Sequence, residues 1–274
     1  ITDVIPVYVT ALLPLGTFPL LGTATAAEAA SAYGDPLIFL FFGGFILALA
    51  LERWGLHRRV AFTVLRSVGS RPDYIVGAFM AITAFISLWV TNTATTLMML
   101  PVALSVVDTL AEAQPAGVPA EPRTANVATA LMLGVAYAAS IGGMGTMIGT
   151  APNVFVASFI NSQLHQAISF LDWMLLAMPI VILLLVGAWW LLTKGLYRLG
   201  REPLPGTHAV LEGLATALGP VTTSERRTAV VFLLAASAWL FRGLLGDVTV
   251  AGLKPFAGLT DAGIAIIAAI LLFV

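Results

Sequence analysis

The 274-residue sequence contains no cysteine, only three histidines and few charged residues. The absence of cysteine excludes disulfide bonds, thiolate metal sites and cysteine nucleophiles. The histidines, His57, His165 and His208, lie outside the long apolar segments, which argues against a buried histidine-ligated metal or haem. Charged residues make up 10% of the chain and the formal net charge is −1, so no basic surface is available to bind nucleic acid.

Hydrophobic residues are abundant instead: they make up 59% of the chain, and the mean hydropathy is +0.98. Because soluble domains contain about 25% charged residues, this composition predicts an all-α integral membrane protein surrounded by a lipid bilayer. The expected spans are residues 4–21, 36–51, 125–141, 171–192, 228–245 and 259–274. Residues 22–35 are expected to form a loop, 60–68 a segment on the membrane surface, and 202–227 a polar connector. Both ends of the chain fall inside apolar runs, which suggests a piece of a longer polytopic protein.

A polar tripeptide, Thr91, Asn92 and Thr93, separates two apolar arms at residues 75–90 and 97–107. Neither arm contains the roughly 20 apolar residues that a helix needs to cross a bilayer. The pattern favours a re-entrant hairpin whose polar tip lies at mid-membrane depth, where non-helical backbone survives only inside protein or beside a water-filled cavity. One long, kinked spanning helix with a hydroxyl-rich middle is the alternative.

The distribution of basic residues favours the hairpin, because cytoplasmic loops of membrane proteins are enriched in Lys and Arg. If the hairpin returns to its own side, all but two of the thirteen basic residues share one face, and only Arg242 and Lys254 lie near or on the other. The residues on the shared face are Arg53, Arg58, Arg59, Arg66, Arg71, Arg123, Lys194, Arg198, Arg201, Arg226 and Arg227. A single spanning helix would divide these residues between the two faces.

A second interruption follows the apolar helix at residues 125–141, where residues 142–149 contain four glycines. Since each glycine costs a helix about 1 kcal/mol relative to alanine, residues 142–153 predict an unwound break in a membrane helix. Interrupted helices mark binding sites in transporters, because their free N–H groups suit anions and their free carbonyls suit cations. No ionisable residue lies in the middle of an expected span, which favours Na⁺ bound together with an anion over a proton relay.

Three stretches resemble the divalent-anion/sodium symporter family, the di- and tricarboxylate and sulfate carriers. Residues 91–101 are similar to the family's Ser-Asn-Thr signature, residues 136–153 to its second signature run, and residues 43–59 to a third. The resemblance implies an inverted-repeat secondary transporter in which each repeat has a re-entrant hairpin and a broken helix. It also implies a homodimer that works by an elevator-type motion, with Na⁺ as the co-transported ion and no organic cofactor.

The resemblance also implies roles for individual residues. The expected sodium ligands are Ser87, Thr91, Asn92 and Gly149, and the expected substrate contacts are Asn92, Thr93, Thr150 and Pro152. The signature begins here with Thr91 where the family has serine, so the hydroxyl is kept but an added methyl group alters the sodium geometry or the substrate preference. The second hairpin, with half of the substrate site and the second sodium site, is absent from this sequence.

The expected organisation is scaffold in residues 1–72, transport domain in 73–161, scaffold and linker helices in 162–257, and the start of the second repeat in 258–274. The expected function is sodium-coupled symport of a C4-dicarboxylate, with succinate, malate, citrate and sulfate as the substrate class, in a bacterial inner membrane. The alternative is an oxyanion permease for arsenite or sulfate, uncoupled or proton-coupled. An intramembrane enzyme is disfavoured because no pair of aspartates, histidine cluster or activated serine lies within a span, and a purely structural subunit is disfavoured because the two interruptions cost stability without a site to justify them.

Overall fold

The computed structural model describes residues 5–112, 122–204, 206–249 and 253–274. The regular elements within these ranges are helices, which confirms the predicted all-α fold. They are α1 (Val7–Thr10), α2 (Leu13–Leu20), α3 (Ala26–Ser31), α4 (Pro36–Arg53), α5 (Leu56–Leu65), α6 (Pro72–Ser87), α7 (Asn92–Glu112), α8 (Pro122–Gly143), α9 (Ala151–Leu164), α10 (Phe170–Trp190), α11 (Thr207–Thr216), α12 (Thr223–Asp247) and α13 (Asp261–Leu271), with a 3-10 turn at Ala32–Gly34 and a π-helical stretch at Leu191–Leu196.

Five of the helices in the described residues are long and apolar enough to cross a bilayer. They are Pro36–Arg53, Asn92–Leu110, Pro122–Gly143, Phe170–Leu196 and Thr223–Asp247. Four of them correspond to spans expected from the sequence. The last begins five residues earlier than its apolar run, because Thr222 and Glu225 form a capping box that satisfies free N–H groups of the first turn.

The segment predicted as a span at residues 4–21 is a shorter apolar helix, Val7–Leu20, within the described residues 5–21. The helix is interrupted at Ala11 and Leu12, and α1 and α2 lie on either side of the interruption. Pro14 explains the interruption, since it has no N–H for the carbonyl four residues earlier and its ring clashes with that carbonyl. The loop predicted at residues 22–35 is also partly helical, because Thr25 and Glu28 form a capping box that starts α3.

Helices α6 and α7 form the predicted hairpin, joined by a turn at residues 88–91. Their open ends lie on the same side of the molecule. The N–H of Leu204 donates to the carbonyl of Ser70, just before α6, over 2.7 Å. Two residues after Leu204, a Cβ built on Gly206 would lie 3.0 Å from Cγ2 of Thr109, near the end of α7. The chain therefore reverses at the turn, although α7 alone is long enough to cross a bilayer.

Helix α8 runs parallel to α6 and packs against it through glycines. A Cβ on Gly134 would lie 3.0 Å from Cγ of Met80, and one on Gly142 would lie 2.5 Å from Cα of Ala84. Such close approach lets Phe79 and Met80 become fully buried between the helices. Because lipid tails are as apolar as these side chains, the stabilisation comes from van der Waals packing at the close contact and not from removal from water. This packing fixes the hairpin against α8.

The predicted break in the membrane helix is confirmed and is shorter than expected. Helix α8 continues to Gly143, residues 144–150 are non-helical, and α9 starts at Ala151 with Thr150 as its extended N-cap. The indole N–H of Trp173 in α10 donates to the free carbonyl of Met144 over 3.0 Å, which satisfies one orphaned acceptor of the break.

A buried carboxylate ties the start of the hairpin to the end of α10. Asp73 is 2% exposed, and its carboxylate accepts from Arg71 and from Lys194, both at 2.8 Å. Its backbone carbonyl accepts from the indole of Trp189 at 2.8 Å, where Gly77 leaves room for the ring. The hairpin entry and the α10 terminus therefore form one connected unit.

Basic residues from distant parts of the chain meet at this end, as the charge distribution predicts. Arg123, at the start of α8, pairs with Glu202 at 2.6 Å. Glu202 lies two residues before Leu204, which is bonded to Ser70, and eight residues after Lys194. The open end of the hairpin, the start of α8 and the end of α10 thus share the basic face.

Helices α4, α5, α12 and α13 make a second set of contacts. Gly43 in α4 lies so close to Ala265 in α13 that an added Cβ would lie 2.6 Å from the alanine backbone. Arg59 in the short helix α5 pairs with Glu225 in α12 at 3.0 Å and donates to the carbonyls of residues 218–220. These bonds fix the start of α12 to α5.

Candidate functional site

The tip of the hairpin is a junction of two helix ends. Helix α6 ends at Ser87, whose side chain is fully buried, and α7 begins at Asn92 after a four-residue turn. Thr91 precedes α7, and its hydroxyl lies 3.5 Å from the N–H of Ala94, in the position of a helix cap. Carbonyls at the end of α6 and N–H groups at the start of α7 are therefore available at one place.

Side chains of the tip contact the end of α8 directly. The hydroxyl oxygen of Ser87 lies 2.7 Å from the carbonyl oxygen of Ala139 and 2.9 Å from Oδ1 of Asn92. Oδ1 of Asn92 in turn lies so close to Gly143 that a Cβ there would overlap with it. A larger residue at position 143 would displace the amide group of Asn92, so the glycine there permits the contact between the tip and α8.

The break lies against the same tip. A Cβ built on Gly149 would lie 2.5 Å from the carbonyl oxygen of Gly143 and 2.9 Å from that of Ser87. Carbonyl oxygens from α6 and α8 therefore approach the backbone of Gly149 closely. Together with Asn92 Oδ1, they make a group of uncharged oxygens contributed by three separate stretches of chain.

Two buried polar side chains hold the break in shape. Thr146 is fully buried, accepts a hydrogen bond from the N–H of Gly149 at 3.1 Å and donates to the carbonyl of Leu88. Asn153 is 6% exposed, and its amide group donates to the carbonyls of Gly143 at 2.8 Å and Thr146 at 2.7 Å. The role of these two residues was not predicted from the sequence, although a polar residue amid apolar ones was a signal for both.

The structure brings three of the predicted residues, Ser87, Asn92 and Gly149, into this junction. Thr91 adjoins it as the residue before α7, and Thr150 adjoins it as the N-cap of α9. The other two predicted residues flank it and are exposed: Thr93 follows Asn92, and Pro152 precedes Asn153. The predicted substrate contacts therefore lie mostly on an open side, and the predicted sodium ligands lie mostly inside.

The junction is electrically neutral in its side chains but not in its backbone. Ser87, Asn92, Thr146 and Asn153 are all uncharged. Helices α7 and α9 both begin here, and a helix N-terminus carries a partial positive charge that favours an anion. Free carbonyls at the end of α6 and in the break carry the opposite partial charge. The site therefore offers matched places for a cation and an anion.

An aromatic stack connects the tip to α10 and α12. The ring of Trp89 lies 4.9 Å from that of Phe232, edge to face, and 6.1 Å from that of Phe170. Phe170 stacks on Trp239 at 4.7 Å. Aromatic pairs of this kind contribute about 0.5–1.5 kcal/mol each beyond their buried area. The turn of the hairpin is thus held on the side away from the glycine contacts as well.

A reversing hairpin, a broken helix and a neutral junction between them are features of secondary transporters of the inverted-repeat class. The family model described as "Sodium:sulfate symporter transmembrane region" matches residues 1–274. The chain belongs to this family, which confirms the resemblance seen in its motifs, and it is an integral membrane protein. The family is one of transporters and not of enzymes, as expected.

Curated relatives of the chain match it over its whole length. The chain is 36% identical over 277 residues to the "Sodium-dependent dicarboxylate transporter SdcS" of Staphylococcus aureus strains bovine RF122 / ET3-1 and MSSA476, and 35% identical to that of strain NCTC 8325 / PS 47. In each case the alignment covers 100% of this chain and 52% of the relative. The chain thus spans about half the length of the curated relatives that it matches.

Proposed function

We propose that this chain is the first half of a sodium-coupled symporter for a divalent anion, with a C4-dicarboxylate as the first candidate substrate. The observation that carries the proposal is the neutral junction at which the hairpin tip meets the broken helix. It offers carbonyl and amide oxygens for a cation and two helix N-termini for an anion. The names of the relatives, which specify sodium and dicarboxylate, support the same choice.

The sodium ion would bind between the tip and the break. Its ligands would be oxygens of Ser87, Thr91 and Asn92 from the tip and of Gly149 from the break, because hard cations prefer oxygen ligands. The close approach of Gly149 to the carbonyl of Ser87 supports this set. Thr91 supplies the same hydroxyl as the serine of the family signature, so oxygen ligation is retained.

The anion would bind on the open side of the same junction. Asn92 and Thr93 at the start of α7 and Thr150 and Pro152 at the start of α9 would contact a carboxylate. The partial positive charges of both helix N-termini favour that position. The remaining contacts would come from the second hairpin of the complete carrier.

Sodium and anion would depend on each other because the site has no charge of its own. A cation bound among neutral oxygens lowers the energy of an anion a few ångströms away, and the anion does the same for the cation. Such mutual stabilisation is a coupling free energy and is reciprocal. It makes symport of sodium with a dianion a consequence of the neutral lining.

Movement of the site across the membrane would follow an elevator-type mechanism in a homodimer of the bacterial inner membrane. Residues 73–161 would belong to the transport domain, residues 1–72 and 162–257 to scaffold and linkers, and residues 258–274 to the second repeat. The bonds from Lys194 and Trp189 to Asp73 join the end of α10 to the entry of the hairpin, so a linker helix would contact the transport domain there.

The test is uptake of radiolabelled succinate into proteoliposomes that contain the full-length carrier. We expect uptake to require an inward sodium gradient. Asn92→Ala should reduce it by at least about tenfold, the factor that corresponds to one lost charge-assisted contact. Asn126→Ala is the control, because Asn126 lies near the start of α8, away from the tip, and its amide donates to the carbonyl of Tyr197 just after the π-helical stretch. Uptake that persists without sodium would refute the coupling, and an active Asn92→Ala variant would refute the site.

The second candidate is an oxyanion permease for sulfate or arsenite, uncoupled or proton-coupled. The description of the family, which names sulfate, favours sulfate within this alternative. Competition separates the two candidates. If labelled sulfate enters where labelled succinate does not, and excess malate leaves the uptake of sulfate unchanged, the oxyanion is the substrate.

A further inference from the structure

We infer that Thr146 is a positioning residue that sets the sodium affinity of the junction by fixing Gly149 against the hairpin tip. This inference rests on the proposed function. Thr146 lies outside the ligand set that the family resemblance assigns. It follows from the hydrogen bonds that Thr146 makes with both parts of the junction.

The hydroxyl group of Thr146 bridges two segments that are far apart in sequence. It donates to the carbonyl of Leu88, which follows Ser87 at the end of α6. It also accepts from the N–H of Gly149 at 3.1 Å. A hydroxyl has one proton to donate and two lone pairs to accept with, so this single group pairs a carbonyl of the tip and also accepts from the N–H of Gly149, whose other, longer bond is to the backbone carbonyl of Thr146 at 3.4 Å.

The geometry around Gly149 makes this bridge sensitive to small changes. The α-carbon of Gly149 is packed so tightly that a Cβ would lie 2.5 Å from the carbonyl oxygen of Gly143 and 2.9 Å from that of Ser87. The N–H of Gly149 bonds to Thr146, and this bond orients the peptide group that precedes Gly149. The carbonyl of Gly149, in the next peptide group, is a proposed sodium ligand. A binding constellation must be held to within about 0.5 Å to work, and Thr146 supplies that restraint here.

The backbone of Thr146 is itself held in place. Its carbonyl accepts from the amide of Asn153 at 2.7 Å, and the same amide donates to Gly143 at 2.8 Å. Thr146 is also fully buried, so water cannot replace its bonds. The side chain is therefore fixed from the α9 side and transmits that position to the tip.

The proposed positioning depends on the hydroxyl group of Thr146 and not on its methyl group. Variants that keep, weaken or remove the hydroxyl therefore test it. Thr146→Val keeps the shape but loses both bonds, Thr146→Ser keeps both bonds, and Thr146→Cys keeps only a much weaker donor. Thr129→Val is the matched control, because the hydroxyl of Thr129 is exposed and bonds only to the carbonyl of Ala125 in its own helix, at 2.9 Å.

The experiment measures succinate uptake by the full-length carrier in proteoliposomes over a range of sodium concentrations. For Thr146→Val we expect the sodium concentration at half-maximal uptake to rise at least about tenfold, equivalent to the loss of a hydrogen-bonded restraint. The maximal rate at saturating sodium should change much less. Thr146→Ser and Thr129→Val should stay within about twofold of wild type, and Thr146→Cys should lie between. A purely structural role would lower the maximal rate and leave the sodium requirement unchanged.

Each outcome of the uptake experiment either supports or refutes the positioning role of Thr146. Wild-type uptake without sodium dependence would refute the proposed function and this inference with it. Sodium-dependent wild type together with an unshifted Thr146→Val variant would refute the inference alone. If Thr146→Val does not fold, the comparison of Thr146→Cys with Thr146→Ser decides: a sodium requirement equal in both would overturn the role of the hydroxyl.

Discussion

Replacing Gly149 by alanine tests the close contact on which the candidate site depends. The added Cβ would lie 2.5 Å from the carbonyl oxygen of Gly143 and 2.9 Å from that of Ser87. Carbon and oxygen normally approach no closer than about 3.3 Å, so the backbone must move apart by roughly 0.4–0.8 Å. Both opposing atoms belong to the backbone, and neither can rotate away as a side chain would.

Two effects of Gly149→Ala follow from this displacement. Overpacking of a well-packed site costs about 1–3 kcal/mol of the free energy of unfolding. Displacement of a proposed sodium ligand by more than about 0.5 Å removes the binding geometry, so we expect sodium-dependent uptake to fall at least about tenfold. The second effect must remain after uptake is normalised to the amount of folded protein.

The measurement combines thermal unfolding in detergent with succinate uptake by the full-length carrier. Gly187→Ala in α10 is the control, since a Cβ there meets no atom within 4 Å. This change should leave uptake intact and raise the free energy of unfolding by up to about 1 kcal/mol, because alanine is the better helix former. If Gly149→Ala supports wild-type uptake at the wild-type sodium requirement, the contact between the break and the tip is not part of the transport site.

Three further variants test the contacts that hold the site in place. Lys194→Ala should lower the free energy of unfolding by about 1–2 kcal/mol. The loss is smaller than for an isolated buried charge, because Asp73 keeps Arg71 as its second basic partner. An unchanged melting temperature would show that the pair of Lys194 and Asp73 contributes nothing. Arg59→Ala should cost about 2–3 kcal/mol in the same assay, since it leaves Glu225 without its partner, and restoration by a second change, Glu225→Gln, would confirm the cause. His57 is buried, which lowers its pKa below the ordinary value of 6.5 although a hydrogen bond to a backbone carbonyl opposes the shift. The native state thus binds fewer protons than the unfolded state, so this contribution to stability is complete above pH 6.5 and decreases as the pH falls below it; melting temperatures between about pH 7.5 and 5.5 should show this, and His57→Gln should remove it.

The hairpin and the broken helix were predictable because both are departures from a strong rule. A bilayer requires about 20 apolar residues for each span, so a polar tripeptide between two shorter arms is visible without any structure. The glycines of residues 142–149 are visible for the same reason. The distribution of basic residues then favoured the hairpin over the kinked helix, and the bond from Leu204 to Ser70 agrees with the hairpin.

The start of the chain was predicted less well, because hydropathy does not register local backbone chemistry. Residues 4–21 were predicted as a span, yet the apolar helix there extends only from Val7 to Leu20 and has a turn just before Pro14. Residues 22–35 read as a loop, yet Thr25 and Glu28 have the spacing of a capping box and start a helix. The proline and the capping-box pair are both visible in the sequence. Hydropathy averaged over many residues does not register a single residue or a pair.

The contacts that shape the site could not be predicted, for a different reason. Thr146 and Leu88 are 58 residues apart, and their hydrogen bond depends on the packing of two helix ends. An isolated threonine in an apolar segment more often bonds to its own helix. Sequence patterns therefore indicate that a polar residue is present but do not identify its partner.

The candidate site lies at the two interruptions for the same reason that the interruptions can be recognised in the sequence: membrane helices are normally continuous. A membrane helix satisfies its own backbone groups, so it offers nothing to an ion, whereas each interruption exposes a few carbonyls and N–H groups. Those groups cannot be left unpaired in an apolar environment without a cost of several kcal/mol. Placing the two interruptions side by side allows Thr146 and Asn153 to pair some of them and leaves others for ligands. On the proposed function, an ion bound there would offset the cost of the interruptions, and the neutral lining would let a cation bind best together with an anion.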